Sequence, residues 1–214
     1  MTSTAARLTG TKGVARADRE QQIVAVAGEV FAERGFALAS VDEIARRAGI
    51  SKPLIYNYFG SKEGLLAACL AYAGTLVADE IERTARLGEV GLARALVSLD
   101  GLFRALEPAP WTWRLLNDPT VPGGPELDPV LATYRSRMAA LSADGVGELM
   151  RLAGDDDPAD TDAMTAVWTS VLDALVTWWL DHPAETPEQM SRRCVRLFAA
   201  VLGPVDVDLP GRSG

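Results

Sequence analysis

The chain has 214 residues, 48% of them hydrophobic and 23% charged, and carries a formal net charge of −8. That length suits one or two domains with a real hydrophobic core. No apolar run approaches the length of a bilayer span, and the N-terminus lacks a charged-then-apolar signal segment, so a cytoplasmic protein is expected. The two cysteines, Cys69 and Cys194, sit far apart within helical patterns and read as buried thiols rather than a disulfide or metal pair.

The acidity is unevenly spread. Up to residue 65 there are nine Lys and Arg against seven Asp and Glu; beyond it there are twelve against twenty-two. A basic head on an acidic body is compatible with one face approaching a polyanion while the other turns away. Only three cations are lysines, and two of them, Lys52 and Lys62, fall within eleven residues of one another.

Residues 1–18 mix Thr, Gly, Ala and Arg without a period and read as a flexible basic tail. Arg7, Lys12, Arg16 and Arg19 suit phosphates or a minor groove, and equally suit a solvated tail. A first helix is expected from about Asp18 to Arg34, with Ile23, Ala27, Val30 and Phe31 on one stripe and Gly35 at its C-terminal turn.

Three helix starts then crowd into residues 40–62. Ser40 and Glu43 form an S-x-x-E capping box before Ile44 and Ala45. Gly49 breaks that helix, Ser51 offers an N-cap for another beginning at Lys52–Pro53, Gly60 ends it, and Ser61 caps a third. Two short helices around a glycine turn make a helix-turn-helix, whose second helix can lie in the major groove of DNA. Ile55 and Phe59 face inward, while Lys52, Leu54, Tyr56, Asn57 and Tyr58 crowd the remaining face. Phenols, an amide and an ammonium are groups that reach phosphates and base edges. The bland alternative is a surface helix with half-buried tyrosines; the spacing, both caps and the following Ser-Lys-Glu weigh against it.

The run Ile50-Ser-Lys-Pro-Leu-Ile-Tyr-Asn-Tyr-Phe-Gly-Ser-Lys-Glu-Gly-Leu65 resembles the recognition-helix signature of the TetR family, the tetracycline-repressor-like bacterial regulators. The resemblance covers about residues 20–66; beyond it the chain is similar to the family only in length and helical layout. The resemblance implies that Lys62 sits by a phosphate and Lys52 near the groove. It also implies that the helix after the head moves when an effector binds and separates two heads. Ser40, Tyr58 and Lys62 are then expected to position the head on phosphates, and Lys52, Pro53, Leu54, Tyr56 and Asn57 to face the groove. Leu54, Pro53 and the Tyr56 ring suit thymine methyls. Leu54 stands where many members carry a small or hydroxylated residue, so no hydrogen bond is expected from it. Asn57 can read adenine or touch a phosphate.

From Ser61 a longer helix is expected to about Arg86, with Leu65, Cys69, Tyr72 and Leu76 on one stripe. Leu92, Leu96, Leu99, Phe103 and Leu106 mark another, halted by Pro108 and Pro110. Trp111–Leu116 is a short apolar piece before a loop of breakers, Pro119 to Pro125. Asp128-Pro129 looks like a cap and first turn for a helix carrying Leu131, Tyr134, Met138 and Leu141 toward Leu152. Asp155-Asp156-Asp157-Pro158 lacks the spacing of a calcium loop and reads as a solvated turn. Of the last two helices, one spans about Asp160 to Asp181, and the other opens with the Thr186–Gln189 capping box, Pro187 at N1, carries Met190, Cys194, Leu197, Phe198 and Val201, and stops at Gly203-Pro204.

Nothing points to catalysis. The single histidine, His182, precedes Pro183 at a helix end, where an imidazole can bond the last carbonyls, and no phosphate loop or nucleophile elbow appears. All five tryptophans lie in the second part. Phe103, Trp111, Trp113, Tyr134, Met138 and Trp168 can line an apolar cavity for a small apolar or aromatic effector, or simply pack a core. Arg114, Arg135 and Arg137 can meet an anionic group or lie on the surface. Leu175, Trp178, Trp179, Leu197, Phe198 and Val201 suit the seam of a four-helix bundle with a second copy, or a core within one chain.

The expectation is an all-α protein. It comprises a tail (1–18), a helix-turn-helix head (19–65), a helical ligand-binding and dimerisation domain (66–203) and a second tail (204–214). The function read from it is a homodimeric, sequence-specific DNA-binding regulator. It acts as a repressor of an inverted-repeat operator on double-stranded DNA, released by a small molecule, with no catalytic residue, metal, cofactor or membrane partner. The rivals are an effector-independent DNA-binding regulator and a ligand-binding helical protein with a vestigial head.

Overall fold

The computed structural model describes residues 15–87 and 90–202. Among the described residues there are only helices: α1 (Arg16–Leu38), α2 (Val41–Ala48), α3 (Lys52–Phe59), α4 (Lys62–Ala85), α5 (Leu92–Leu106), α6 (Trp111–Leu116), α7 (Asp128–Leu152), α8 (Pro158–Leu180) and α9 (Pro187–Leu202). The structure is therefore all-α.

Helix starts and stops follow local chemistry, with corrections. α1 begins at Arg16, so Arg16 and Arg19 ride on a helix rather than a tail, while Arg7 and Lys12 lie outside the described residues. Gly35, at φ 69° and ψ 163°, kinks α1 where a side chain would be strained, and one further turn follows to Leu38. Ser40 caps α2, but its hydroxyl accepts from the Asp42 N–H at 3.2 Å. Glu43 does not reach back; Arg47, one turn on, draws its carboxylate outward at 2.7 Å, so the expected box is half made. Ser51 makes no side-chain cap bond. Pro53 has no N–H to offer, and the Leu54 N–H takes the Ser51 carbonyl at 3.0 Å instead. Ser61 does cap α4, accepting from the Gly64 N–H at 2.7 Å. The Thr186–Gln189 box is reciprocal, at 2.8 and 3.3 Å.

α4 is the spine. Its first half gives Leu65, Leu66, Cys69, Leu70 and Ala73 to a core shared with α1, α2 and α3. That core also takes Trp111 and Leu115 of α6 and Leu131 of α7, so apolar packing continues past the helix-turn-helix. Further along α4, Val77 enters a second core with Leu96, Leu99, Leu102, Phe103, Leu106, Trp179, Met190 and Cys194. Burying a side chain of this size contributes about 1.5–3 kcal/mol.

Polar links fix the body. Arg137 of α7 bonds Glu82 and Asp79 of α4 at 2.7 and 2.6 Å. The buried Asp100 carboxylate accepts from Ser191 Oγ at 2.7 Å and Arg104 Nε at 2.9 Å, pinning α5 to α9.

α4 and α8 are long and apolar enough to cross a membrane by length and composition alone, a test that core helices also pass. The apolar surface of α4 is consumed by the two cores. α8 packs one face on α7 and leaves its other face exposed.

Candidate nucleic-acid interface and cavity

α2, the turn at Gly49 and α3 form a compact corner. Gly49 is left-handed (φ 66°), and its N–H closes α2 on the Ala45 and Arg46 carbonyls. Ile55 is fully buried with Ile44, Val41 and Phe31, and Phe59 is half-buried against the same cluster. Anchoring this face turns the opposite one outward. Pro53, Tyr56 and Asn57 are exposed, and Lys52, Leu54 and Tyr58 are half-buried beside them. Ser40 lies at the start of α2 and Lys62 at the start of α4, flanking α3.

The cations near this face are held. Lys52 Nζ donates to Asp42 at 2.8 Å, and that bond raises the Lys52 pKa above its ordinary value. Lys62 Nζ donates to the Phe36 carbonyl at 2.5 Å and lies 4.3 Å from the centre of the Phe36 ring. The Arg16 guanidinium sits 5.1 Å from the centre of the Tyr58 ring, so the start of α1 borders α3. Arg47 is committed to Glu33 and Glu43; hydrogen bonds to both raise its pKa, and its own bond depresses that of Glu33. One link was not legible in sequence: Ser61 Oγ donates to Glu126, 65 residues away, at 2.9 Å.

A half-open cavity of about 600 Å³ lies between α4, α5, α7, α8 and α9. Of the six pocket residues expected from sequence, Met138 and Trp168 line it. Phe103 is instead buried with its ring 5.2 Å from Trp179, and Trp113 is buried in the same core. Tyr134 packs beside that core against Gly74, and burial pushes its phenol up to about 12. Trp111 stacks on Tyr72 at 5.7 Å and borders a separate depression between α1, α6 and the α8–α9 turn.

The residues expected at a dimer seam also divide. Trp179 is buried within the chain, its Nε1 donating to the Glu185 carbonyl at 2.8 Å. Leu175 and Phe198 are half-buried and, with Leu197 and Val201, line the cavity. Leu197 and Val201 are also 50% and 82% exposed. Trp178 is exposed and stacks on His182 at 3.8 Å, while His182 Nδ1 meets the Trp178 carbonyl at 2.6 Å, as expected of a helix-end imidazole.

None of the three arginines weighed for an anionic ligand reaches this cavity. Arg137 is in its clamp with α4, and Arg114 bonds the Leu180 carbonyl and Asp181. Arg94 does line it, and its signal in sequence was nil: an isolated arginine at the start of an apolar helix. Among the described residues no cluster of three metal-ligating side chains occurs. Asp157 caps α8 through the Ala159 N–H at 2.8 Å, which gives the acidic turn a structural use.

Comparison with known proteins agrees with this geometry. Residues 23–69 match the model of bacterial regulatory proteins of the tetR family. The chain is 33% identical over 101 residues to the transcriptional activator FasR of Mycolicibacterium smegmatis, covering 47% of this chain and 46% of that one. It is 41% identical over 103 residues to a transcriptional repressor of Mycobacterium tuberculosis, covering 44% and 50%. The matched stretch thus spans about half the length of these curated relatives. Similar solved structures extend over the body. The regulator FadR of Bacillus subtilis in complex with stearoyl-CoA has a TM-score of 0.67 at 18% identity, covering 86% of this chain and 99% of that one. A tetR-family protein of Rhodococcus RHA1 has a TM-score of 0.67 at 23% identity, covering 90% and 100%. The helix-turn-helix head, matched over residues 23–69, is that of the tetR family of bacterial regulatory proteins, and the chain as a whole shares the fold of a solved structure of that family.

Proposed function

We propose that the protein is a homodimeric transcriptional repressor that binds an inverted-repeat operator and is released by a small molecule held in the body. The observation that carries the DNA-binding part is α3. One face is locked into the core through Ile55 and the other presents Pro53, Tyr56 and Asn57 to solvent, with Lys52 and Lys62 at its borders. On this reading Lys52, Pro53, Leu54, Tyr56 and Asn57 face the major groove, and Ser40, Tyr58 and Lys62 hold phosphates.

Dimer formation is supported by the outer face of α8. Ala163, Val167, Ser170, Ala174 and Trp178 follow one another at three- and four-residue steps and are all exposed. With Leu197 and Val201 of α9 they give an apolar surface that a second copy would cover in a four-helix bundle. Two recognition helices related by a two-fold axis read the two halves of a palindrome. The cavity supports an effector, being within the usual range for small-molecule sites and predominantly apolar.

The test is recovery and sequencing of genomic fragments bound by the purified protein at near-physiological salt. An enriched inverted repeat is expected. Salt-sensitive binding without a common site would overturn the sequence-specific reading, and a single unpaired half-site would overturn the two-headed dimer.

A further inference from the structure

The cavity lacks a wall on one side. α8 packs on α7 and α9 on α5, and the two are bridged by Trp168 and Phe198, whose rings lie 5.9 Å apart. A short turn joins α8 to α9, so they run in opposite senses, and residues before Trp168 lie beside residues after Phe198. There Met164 and Val167 of α8 and Val201 and Leu202 of α9 line the cavity, yet they are 39%, 55%, 82% and 63% exposed. A ligand seated among them would keep part of its surface in water, whereas small-molecule sites usually bury most of it.

The open side continues the uncovered outer face of α8, because Val167, Leu197 and Val201 border both. Charge favours a second copy as its cover. α8 carries three Asp and no Lys or Arg, whereas α9 carries three Arg and one Glu. Arg192 and Arg193 are bonded to Glu188 and Glu185, and among the described residues no ion pair joins α8 to α9. In a two-fold dimer the acidic helix of one copy meets the basic helix of the other.

The inner walls are mostly aliphatic, with Leu99, Leu102, Leu141 and Leu172 among them. The charged lining residues, Arg94 and Glu148, are bonded to one another, and Ser98 pairs with Thr84 at 3.0 Å. An ionised group buried there would lose its water and meet no free counter-charge.

We propose that the α8–α9 face of a second copy closes the cavity, and that the closed site takes an uncharged aliphatic molecule. This rests on reading the cavity as an effector site and the protein as a dimer. The addition is that neither copy completes the site alone. Ligand binding and dimer formation then strengthen one another by the same factor.

Calorimetric titration of the full-length protein with decanol, decanoate and decylamine tests it, below their solubility and micellar limits and without DNA, paired with sedimentation of the same samples. Decanol is expected to bind tightest and to lower the dimer dissociation constant about tenfold or more, within the usual range for coupled sites. Ala174→Arg, a change off the cavity wall, should be monomeric and bind decanol about tenfold or more weaker. Leu141→Trp fills the inner cavity; it should lose decanol binding and the effect of decanol on the dimer, but still dimerise. Undiminished decanol binding by monomeric Ala174→Arg, or a dimer constant indifferent to bound decanol, overturns the partner wall and leaves the effector site and the dimer standing. A dimer that persists in Ala174→Arg places the second copy elsewhere and overturns it too. So does decanol affinity lost on removing residues 203–214 from an intact dimer, which assigns the wall to that segment. Tighter binding of decanoate or decylamine overturns the uncharged class. A wild-type protein that stays monomeric with and without decanol overturns the dimer itself, and a dimer that binds none of the three overturns the effector site.

Discussion

Gly28 of α1 lies so close to Trp111 of α6 that a Cβ there would overlap the indole ring. Trp111 cannot easily step aside, because it is buried and stacks on the ring of Tyr72 on α4, 5.7 Å away. The first helix of the head therefore rests directly on the body, in addition to the covalent link through α4. Gly28→Val should destabilise the protein by about 1–3 kcal/mol in urea unfolding, as overpacking does. Adding Trp111→Ala should recover part of that loss, since the cavity left by the indole accommodates the valine. Strict additivity of the two changes would mean that the residues do not share this contact.

The contrast between head and body shows what a sequence can disclose. Head geometry depends on local signals: Gly49 and Gly60 at positive φ, Pro53 in the first turn, and Ile55 four residues before Phe59. All of these act within a few residues, so α2, α3 and the outward set of Tyr56 and Asn57 were legible. Body periodicity located α5 through α9 but could not say which neighbour each stripe meets. Trp111, Trp113 and Trp179 have the same apolar character as Trp168, and only long-range packing sends the first three into cores and the last to the cavity. Likewise, Arg94 meets Glu148 across 54 residues, and Ser61 meets Glu126 across 65. No short-range pattern encodes such pairs.

Asp42 restrains Lys52 at the edge of the proposed DNA face. Both groups are substantially exposed, so the pair itself contributes little to stability. Asp42→Asn releases the ammonium and removes a carboxylate from the approach of the phosphates. DNA affinity should rise by roughly two- to tenfold at low salt and the gain should shrink as salt increases. Filter binding or anisotropy at two salt concentrations reads this; weaker binding by Asp42→Asn would show that Lys52 needs its partner to be positioned.

Lys62 and Asn57 should separate by what they lose. Lys62→Ala should weaken binding to all sequences alike and reduce the salt slope by about one. It should also cost about 0.5–1.5 kcal/mol of stability, because the ammonium bonds the Phe36 carbonyl at the end of α1. The Asn57 side chain is exposed and makes no hydrogen bond among the described residues, so Asn57→Ala should leave stability unchanged. If Asn57 reads a base, the variant relaxes one operator position at a cost of roughly 1–3 kcal/mol. Equal loss on operator and random DNA would instead assign Asn57 to a phosphate.

Burial pushes both thiols up, Cys69 strongly and Cys194 to about 12 despite the neighbouring Arg193 charge. A thiol whose folded pKa lies above its unfolded value contributes stability that is complete below the unfolded value. That contribution is lost as pH rises through the folded one. Unfolding free energy should therefore decline from about pH 8.5, the ordinary thiol value, toward pH 12, and Cys69→Ala or Cys194→Ala should each flatten the decline. Neither thiol should react with an aromatic disulfide reagent in the folded protein near neutral pH, and both should react in urea. Rapid labelling of the native protein would contradict the buried placement.

Ala174 tests the proposed dimer without entering the cavity. It is exposed on the outer face of α8 between Ser170 and Trp178 and is absent from the cavity wall. Ala174→Arg places a guanidinium in the centre of the surface that a second copy would cover, where a two-fold axis would bring it near its own equivalent. Like charges meeting in an apolar interface cost several kcal/mol, enough to shift a micromolar dimer to monomer. Sedimentation should show the monomer, with unchanged helicity. Binding to a full inverted repeat should fall to the level of a half-site. A dimer that persists in Ala174→Arg would move the interface away from the face of α8 that this chain leaves uncovered.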